Sequence, residues 1–208
     1  MLIKICGLTR PADAEAAIAA GADLLGFVFR AGTPRALDPA AVGWIRDLTG
    51  AQRVGVFRDA PLAEVVQVRD LLELDWVQLH GEEPETFLGA LGERVIRRLP
   101  VAGTVDWELV RRLAARCLPL FDPGAGDGLA WQWHALAERP PGLRFGLAGG
   151  LTPATVAEAV RVVRPALVDV SSGVESTPGV KDHAKLRDFI AAARAAASAL
   201  PGEDCAGP

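Results

Sequence analysis

The chain has 208 residues, which is enough for one well-buried core and short for two. Half of the residues are apolar, 23% are charged and the net charge is −4, without the basic stripe that duplex-binding proteins use against phosphates. Three cysteines and three histidines are scattered without disulfide or metal-ligand spacing, which argues against both kinds of site.

The N-terminus has no signal-type apolar region, and no apolar run reaches the ~20 residues of a membrane span. We therefore expect a cytoplasmic, metal-free protein that binds neither nucleic acid nor a membrane.

Short apolar segments alternate with helical segments along the chain. The first half predicts a strand at 2–6, a helix at 11–20, a strand at 23–29, a helix at 39–48, a strand at 53–57, a helix at 61–72, a strand at 76–80 and a helix at 84–91. The second half predicts a strand at 94–99, a helix at 105–116, strands at 118–122 and 143–148 with a short helix near 133–138 between them, a helix at 152–163, a strand at 166–170 and a helix at 182–199.

Eight strands alternating with helices imply βαβ units and a parallel sheet. Such units form either a closed barrel or an open doubly wound sheet. The count of eight and the lack of a dividing linker favour the α/β class and a single (β/α)₈ TIM barrel over residues 1–200. Residues 201–208 are predicted to be a disordered tail.

Functional groups in such a barrel lie at the carboxyl ends of the strands and in the loops that follow. The residues predicted to meet there are Cys6, Arg35, Gln78, His80, Asp122, Gly149, Gly150, Asp169, Ser171, Ser172 and Gly173. A thiol, two carboxylates, an imidazole, a guanidinium and two Gly/Ser turns would thus share one rim.

The two turns predict a phosphate site. Barrels often bind phosphate with the loops after strands seven and eight, here Gly149-Gly150 and Ser171-Ser172-Gly173. Glycine lets backbone N–H groups approach an anion, and a helix starting at 152 would add its unpaired N–H groups. Ordinary tight turns are the alternative, but two such loops in consecutive units favour phosphate.

Each candidate side chain also has a structural explanation. Cys6 could be a small core residue, or a base whose pKa neighbouring cations lower toward neutrality. Asp122 could cap a turn, or act as the acid paired with Cys6. Arg35 could be a solvated loop charge or a clamp for a carboxylate, and Gln78 and His80 could line the pocket or only support it.

Several motifs, in chain order, match one family. They are KICGLT (4–9), GFVF (26–29), Arg35, VGVF (54–57), VQLHGEE (77–83), Asp122, AGGL (148–151), and DVSSGVE with PGVKD (169–182). The chain thereby resembles phosphoribosylanthranilate isomerase of tryptophan biosynthesis over nearly its whole length.

The resemblance implies an Amadori rearrangement of N-(5′-phosphoribosyl)anthranilate without a cofactor. It implies that Cys6 is the general base, Asp122 the general acid and Arg35 the ligand of the anthranilate carboxylate, with phosphate held at 149–150 and 171–173. We also predict substrate contacts for Gln78, His80 and Asp169. The only expected partner is this phosphorylated small molecule, and the protein is expected to be a monomer or homodimer.

One segment departs from the family. The family usually has GGTG followed by Phe-Asp-Trp after its aspartate, whereas this chain has Gly124-Ala-Gly-Asp-Gly-Leu-Ala-Trp-Gln-Trp133. Asp127 in this loop is a weaker competitor for the acid role. Two rival functions remain open at this stage: an aminoaldose isomerase of histidine biosynthesis, which would use paired aspartates, and a non-catalytic barrel that only binds a phosphorylated metabolite.

Overall fold

A computed structural model describes residues 1–100, 104–124 and 133–200. Eight parallel strands close into a barrel in sequence order, so the predicted (β/α)₈ barrel is confirmed. The strands are β1 (Leu2–Cys6), β2 (Leu24–Val28), β3 (Gln52–Phe57), β4 (Trp76–Leu79), β5 (Val95–Leu99), β6 (Leu118–Phe121), β7 (Gly146–Leu147) and β8 (Leu167–Val170). β8 pairs with β1, with Asp169 opposite Lys4, and this pairing completes the barrel.

Helices surround the barrel. The α-helices are α1 (Pro11–Ala20), α2 (Leu62–Leu71), α3 (Thr86–Leu91), α4 (Trp107–Ala114), α5 (Val156–Val163) and α6 (His183–Ser198). Pro11 opens α1 and Gly21, in the left-handed region, ends it, as the sequence predicts. Asp182 caps α6 by accepting the N–H groups of Ala184 and Lys185.

The structure departs from the predicted elements in several places, and β7 for example covers Gly146–Leu147 rather than 143–148. Residues 39–48 form two short 3₁₀ helices, Pro39–Ala41 and Gly43–Asp47, because Val42 between them leaves helical geometry. After β8 the chain also forms an unpredicted antiparallel hairpin of β9 (Glu175–Thr177) and β10 (Val180–Lys181). Three-residue and two-residue strands are too short to show alternation, so the sequence pattern misses them.

The apolar core has two parts, one on each side of the barrel wall. Inside the barrel, the packed side chains are Leu24, Val54, Ile96, Leu120, Ala148 and Leu167. A larger cluster lies between strands and helices, where Phe121 and Phe145 meet edge to face with ring centroids 5.1 Å apart. These aliphatic side chains fill the part of the barrel below the carboxyl ends of the strands. The polar side chains of the interior gather at those carboxyl ends.

Candidate active site

A cavity of about 200 Å³ opens at the carboxyl ends of the strands. Every residue that the sequence assigned to the site lines it: Cys6, Arg35, Gln78, His80, Asp122, Gly149, Gly150, Asp169, Ser171, Ser172 and Gly173. Arg30, Thr33 and Arg58, on the loops after β2 and β3, line it as well. The fold therefore brings the predicted site residues together on one rim of the barrel.

Cys6 is the last residue of β1 and lies 9% exposed at the floor of the cavity. Burial raises the pKa of its thiol, because a thiolate loses solvation there, whereas the Lys4 ammonium acts to lower it. Cations are thus present, as the sequence suggested, but they do not outweigh burial.

Lys4 is the charged group with the largest effect on that thiol, and sequence reasoning missed it. Its side chain is completely buried in the barrel, two residues before Cys6 on the same face of β1. Its Nζ donates to Asp169 Oδ2 at 2.8 Å. Burial opposes the charge on Lys4, but Asp169 and Cys6 outweigh it and raise the pKa of the ammonium.

Asp122 directly follows β6 on the other side of the cavity mouth. Burial raises the pKa of its carboxyl group, although the Gly124 N–H bonded to Oδ1 (2.8 Å) and the charge of Arg98 act in the opposite direction. A raised pKa is what a proton donor near neutral pH requires. Asp122 is therefore better suited to donate a proton than a fully solvated aspartate would be.

His80 lies beside Asp122, with Nε2 4.0 Å from Asp122 Oδ2. Burial, together with the charges of Arg98 and Lys4, lowers the pKa of His80 to about 4, so the imidazole is neutral at pH 7. The Gln78 side-chain amide lies 3.2 Å from Nδ1. With Gln78 donating to Nδ1, the ring proton is on Nε2, facing Asp122.

Arg98 anchors the segment that carries the acid. Its Nε donates to the carbonyl oxygen of Asp122 at 3.0 Å, and its Nη2 donates to that of Pro123 at 2.9 Å. A guanidinium bound to two consecutive carbonyls holds the backbone at this point in one orientation. Arg98 shares the inward face of β5 with Ile96, and this alternation was the signal in the sequence that could have revealed it.

Arg35 is held by a buried carboxylate from the β9–β10 hairpin. Its Nε and Nη2 donate to the two oxygens of Glu175 at 2.8 and 2.7 Å. Glu175 also accepts from Lys181 Nζ at 2.8 Å, and Lys181 Nζ donates further to the Ser171 carbonyl. Arg35 is therefore not a freely solvated loop charge, and the hairpin orients it at the cavity.

The predicted phosphate loops follow β7 and β8. Gly149 and Gly150 have φ values of +86° and +68°, in the left-handed region that other residues rarely adopt. The helix predicted to begin at 152 begins at Val156 instead, and the Thr152 N–H donates to Thr155 Oγ1 at 3.0 Å. An anion here would thus depend on the Gly and Ser loops more than on the end of α5.

Two buried acceptors in the cavity have no partner among the residues that the structure describes. They are Gln78 Oε1 and Asp169 Oδ1, on side chains that are 1% and 5% exposed. Buried oxygens without a hydrogen bond are unfavourable unless a ligand or water supplies a donor. Asp127, the competitor for the acid role, lies outside the described residues, as does the predicted tail 201–208.

A family of known proteins matches most of this chain. Residues 3–192 match the family described as N-(5′phosphoribosyl)anthranilate (PRA) isomerase. The isomerase of Geobacter metallireducens is 44% identical over 202 residues, which cover 93% of this chain and 98% of that protein.

Solved structures agree with this match. The phosphoribosyl anthranilate isomerase of Thermus thermophilus superposes with a TM-score of 0.83 at 38% identity, covering 94% of this chain and 99% of that one. Another isomerase structure, in complex with reduced 1-(o-carboxyphenylamino)-1-deoxyribulose 5-phosphate, superposes with a TM-score of 0.80 at 34% identity, covering 94% and 100%.

Proposed function

Because the chain belongs to the N-(5′-phosphoribosyl)anthranilate isomerase family, we propose that it converts this substrate to 1-(2-carboxyphenylamino)-1-deoxyribulose 5-phosphate in tryptophan biosynthesis. One observation carries the assignment of roles: a thiol and a carboxyl group line the same small cavity as two Gly/Ser loops. An acid, a base and an anion cradle are what an aldose-to-ketose isomerisation of a sugar phosphate requires.

Asp122 starts the reaction by donating its proton to the ring oxygen of the ribose. The bond between C1′ and the ring oxygen breaks, and the nitrogen lone pair forms the C=N bond of a protonated Schiff base. A raised pKa supports this role, because it increases the protonated fraction of the Asp122 carboxyl group at any given pH.

Cys6 continues the reaction as a thiolate that removes the proton from C2′. The electron pair of the C–H bond forms the C1′=C2′ bond, and the iminium nitrogen recovers its lone pair. Loss of the proton from the C2′ hydroxyl and protonation of C1′ then give the aminoketone. The cationic iminium group above the thiol favours the thiolate, which offsets part of the effect of burial.

The remaining side chains hold the substrate. The unpartnered oxygens of Gln78 and Asp169 would accept from hydroxyl groups of the ribose, which would satisfy both of them. Arg35, oriented by Glu175, would bind the anthranilate carboxylate. Gly149, Gly150 and residues 171–173 would bind the phosphate, and neutral His80 would contact the substrate beside Asp122.

The cellular setting follows from the same proposal. Among the described residues, no helix is both long enough and apolar enough to cross a membrane. We place the enzyme in the cytoplasm, as a monomer or homodimer that acts on a free small molecule. A dimeric member of the family is known from Thermotoga maritima.

The direct test mixes the purified protein with freshly prepared phosphoribosylanthranilate and follows the loss of anthranilate-type fluorescence. Cys6→Ala and Asp122→Asn should each lower kcat by roughly 100-fold or more, because each removes one partner of the proton transfers. Cys117→Ala, at the other described free cysteine, and Asp59→Asn should keep near-normal turnover. Absence of turnover in the unaltered protein, or full turnover in both Cys6→Ala and Asp122→Asn, would overturn the proposal.

A further inference from the structure

The buried Lys4, two residues before Cys6 in β1, has no role in the proton transfers proposed above. Lys4 and Cys6 both face the barrel interior, and both side chains converge on Gly26 of β2. A methyl group built on Gly26 would lie 2.8 Å from Cys6 Sγ and 3.1 Å from Lys4 Cε. The two side chains therefore approach each other across Gly26, while the ammonium group donates to Asp169 Oδ2 at 2.8 Å.

The other charged groups around the sulfur are engaged elsewhere. Arg35 and Lys181 both face this end of β1, but each donates to Glu175, which offsets their charges locally. Asp169 faces the thiol from β8 and opposes its ionisation. Lys4 is thus the cation with the greatest effect on the sulfur, and Asp169 is the group that holds it in place.

We propose that Lys4 is a positioning residue whose ammonium group is the counter-ion of the Cys6 thiolate, and that Asp169 fixes this ammonium while limiting its effect. No proton moves to or from Lys4 in the reaction. The Cys6 proton leaves to solvent, the thiolate forms beside the ammonium, and the sulfur then accepts the C2′ proton. The inference rests on the proposed role of Cys6 as the base, and it adds the group that makes this base available.

A buried ammonium loses its hydration, so Lys4 needs either a carboxylate or a thiolate beside it to remain charged in this position. Asp169 compensates for that loss through Oδ2 and leaves Oδ1 for the substrate. The same carboxylate therefore connects the charge of the base with the binding of the sugar. The Lys4 ammonium lowers the pKa of the thiol and the Asp169 carboxylate raises it. These opposite effects distinguish the proposed role from that of an ion pair that only stabilises the fold.

The test titrates the thiol in the absence of substrate. With Cys117 and Cys205 replaced by alanine, Cys6 is the only thiol, and its pKa is read from thiolate ultraviolet absorbance and from the rate of alkylation by iodoacetamide against pH. Lys4→Met should raise the thiol pKa by about 1 unit or more, because it removes the cation with the greatest effect on the sulfur. Asp169→Asn should lower it, because Lys4 then faces the sulfur alone. Lys181→Met, which removes a cation bound to Glu175, should change it much less.

Kinetics provide the second readout. The ascending limb of the pH profile of kcat/KM, which reports the free base, should move in the same direction as the thiol pKa in each variant. If Lys4→Met does not fold, Asp169→Asn decides the question alone, and an unchanged or raised thiol pKa in it overturns the proposal. A thiol pKa that shifts equally and in the same direction in Lys4→Met and Asp169→Asn would also overturn the proposal. Because the titration needs no substrate, its result stays separate from any failure to detect isomerisation.

Discussion

His80 shows how a single side chain acquires its properties from its surroundings. An exposed imidazole would gain and lose its proton close to neutral pH, but burial and the cations Arg98 and Lys4 lower the pKa of His80 to about 4. The Gln78 amide beside Nδ1 further orients the neutral ring toward Asp122. His80 is therefore a polar, uncharged neighbour of the acid throughout the physiological pH range.

This depressed pKa predicts a pH-dependent stability. In the unfolded chain the imidazole binds its proton near pH 6.5, whereas in the folded protein it does so only near pH 4. Between these values the unfolded state holds more protons, so the free energy of unfolding rises with pH, by roughly 3 kcal/mol over the window. Urea unfolding across this range should show the slope, and His80→Gln should reduce it.

The control for this measurement is His134, an exposed histidine outside the cavity. His134→Gln should leave the slope as it is in the unaltered protein. A slope that survives His80→Gln undiminished would show that other groups cause it.

At the scale of elements, the short β9–β10 hairpin has a larger effect on the site than its length suggests. It supplies Glu175, which binds both Arg35 and Lys181, and these three side chains connect the loop after β2 with the loop after β8. Salt bridges and hydrogen bonds act against burial and hold the pKa of the Glu175 carboxyl group below its usual value. The hairpin thus places a permanent negative charge beside the arginine that is proposed to bind the substrate.

Glu175→Gln should disturb binding more than chemistry. A glutamine cannot accept both guanidinium hydrogen bonds with a charged oxygen, so Arg35 loses its fixed orientation. We expect KM for phosphoribosylanthranilate to rise roughly tenfold or more, with kcat changed much less. Steady-state kinetics measure both constants, with the exposed Glu64→Gln as the matched control. A loss confined to kcat would contradict the role given to Glu175.

At the scale of the whole molecule, Asp13 connects the first and last parts of the chain around the closed barrel. This completely buried carboxylate in α1 accepts from Arg10, from the backbone N–H of Lys181 in β10 and from His183 at the start of α6. Burial alone would raise the pKa of Asp13, but these hydrogen bonds outweigh it and lower the pKa. Pairing between strands closes the barrel, and outside it this carboxylate connects α1 with β10 and α6.

Removing that carboxylate should therefore weaken the fold. Asp13→Ala leaves the Lys181 N–H without its acceptor, and we expect the free energy of unfolding to fall by about 2–3 kcal/mol at neutral pH. Because the pKa is lowered in the folded state, this contribution is present above the ordinary value of 3.8 and is lost as the pH falls through the folded value. Urea denaturation measures it.

The comparison variant is Asp70→Ala, since Asp70 is 61% exposed and, within the described part of the chain, its carboxylate pairs only with its neighbour Arg69. Its effect should stay within about 0.5 kcal/mol. Equal losses of stability in the two variants would show that Asp13 has no special connecting role.

The sequence by itself determined the alternation of strands and helices, and with it the barrel and the rim on which Cys6, Asp122 and the Gly/Ser loops meet. This worked because hydrophobic periodicity is local, and because parallel strands necessarily place their carboxyl ends together. Only the tertiary structure decided the ion pairs that adjust these groups. Lys4 with Asp169 and Arg35 with Glu175 join residues 165 and 140 positions apart.

Closure of the barrel brings those charges together, and no local pattern records which buried charge faces which. The pKa directions have the same origin, because burial is a property of the whole fold. The start of α5 and the β9–β10 hairpin depart from the sequence prediction for a related reason. The first residue of a helix and strands of two or three residues are set by contacts that a hydrophobic period does not register.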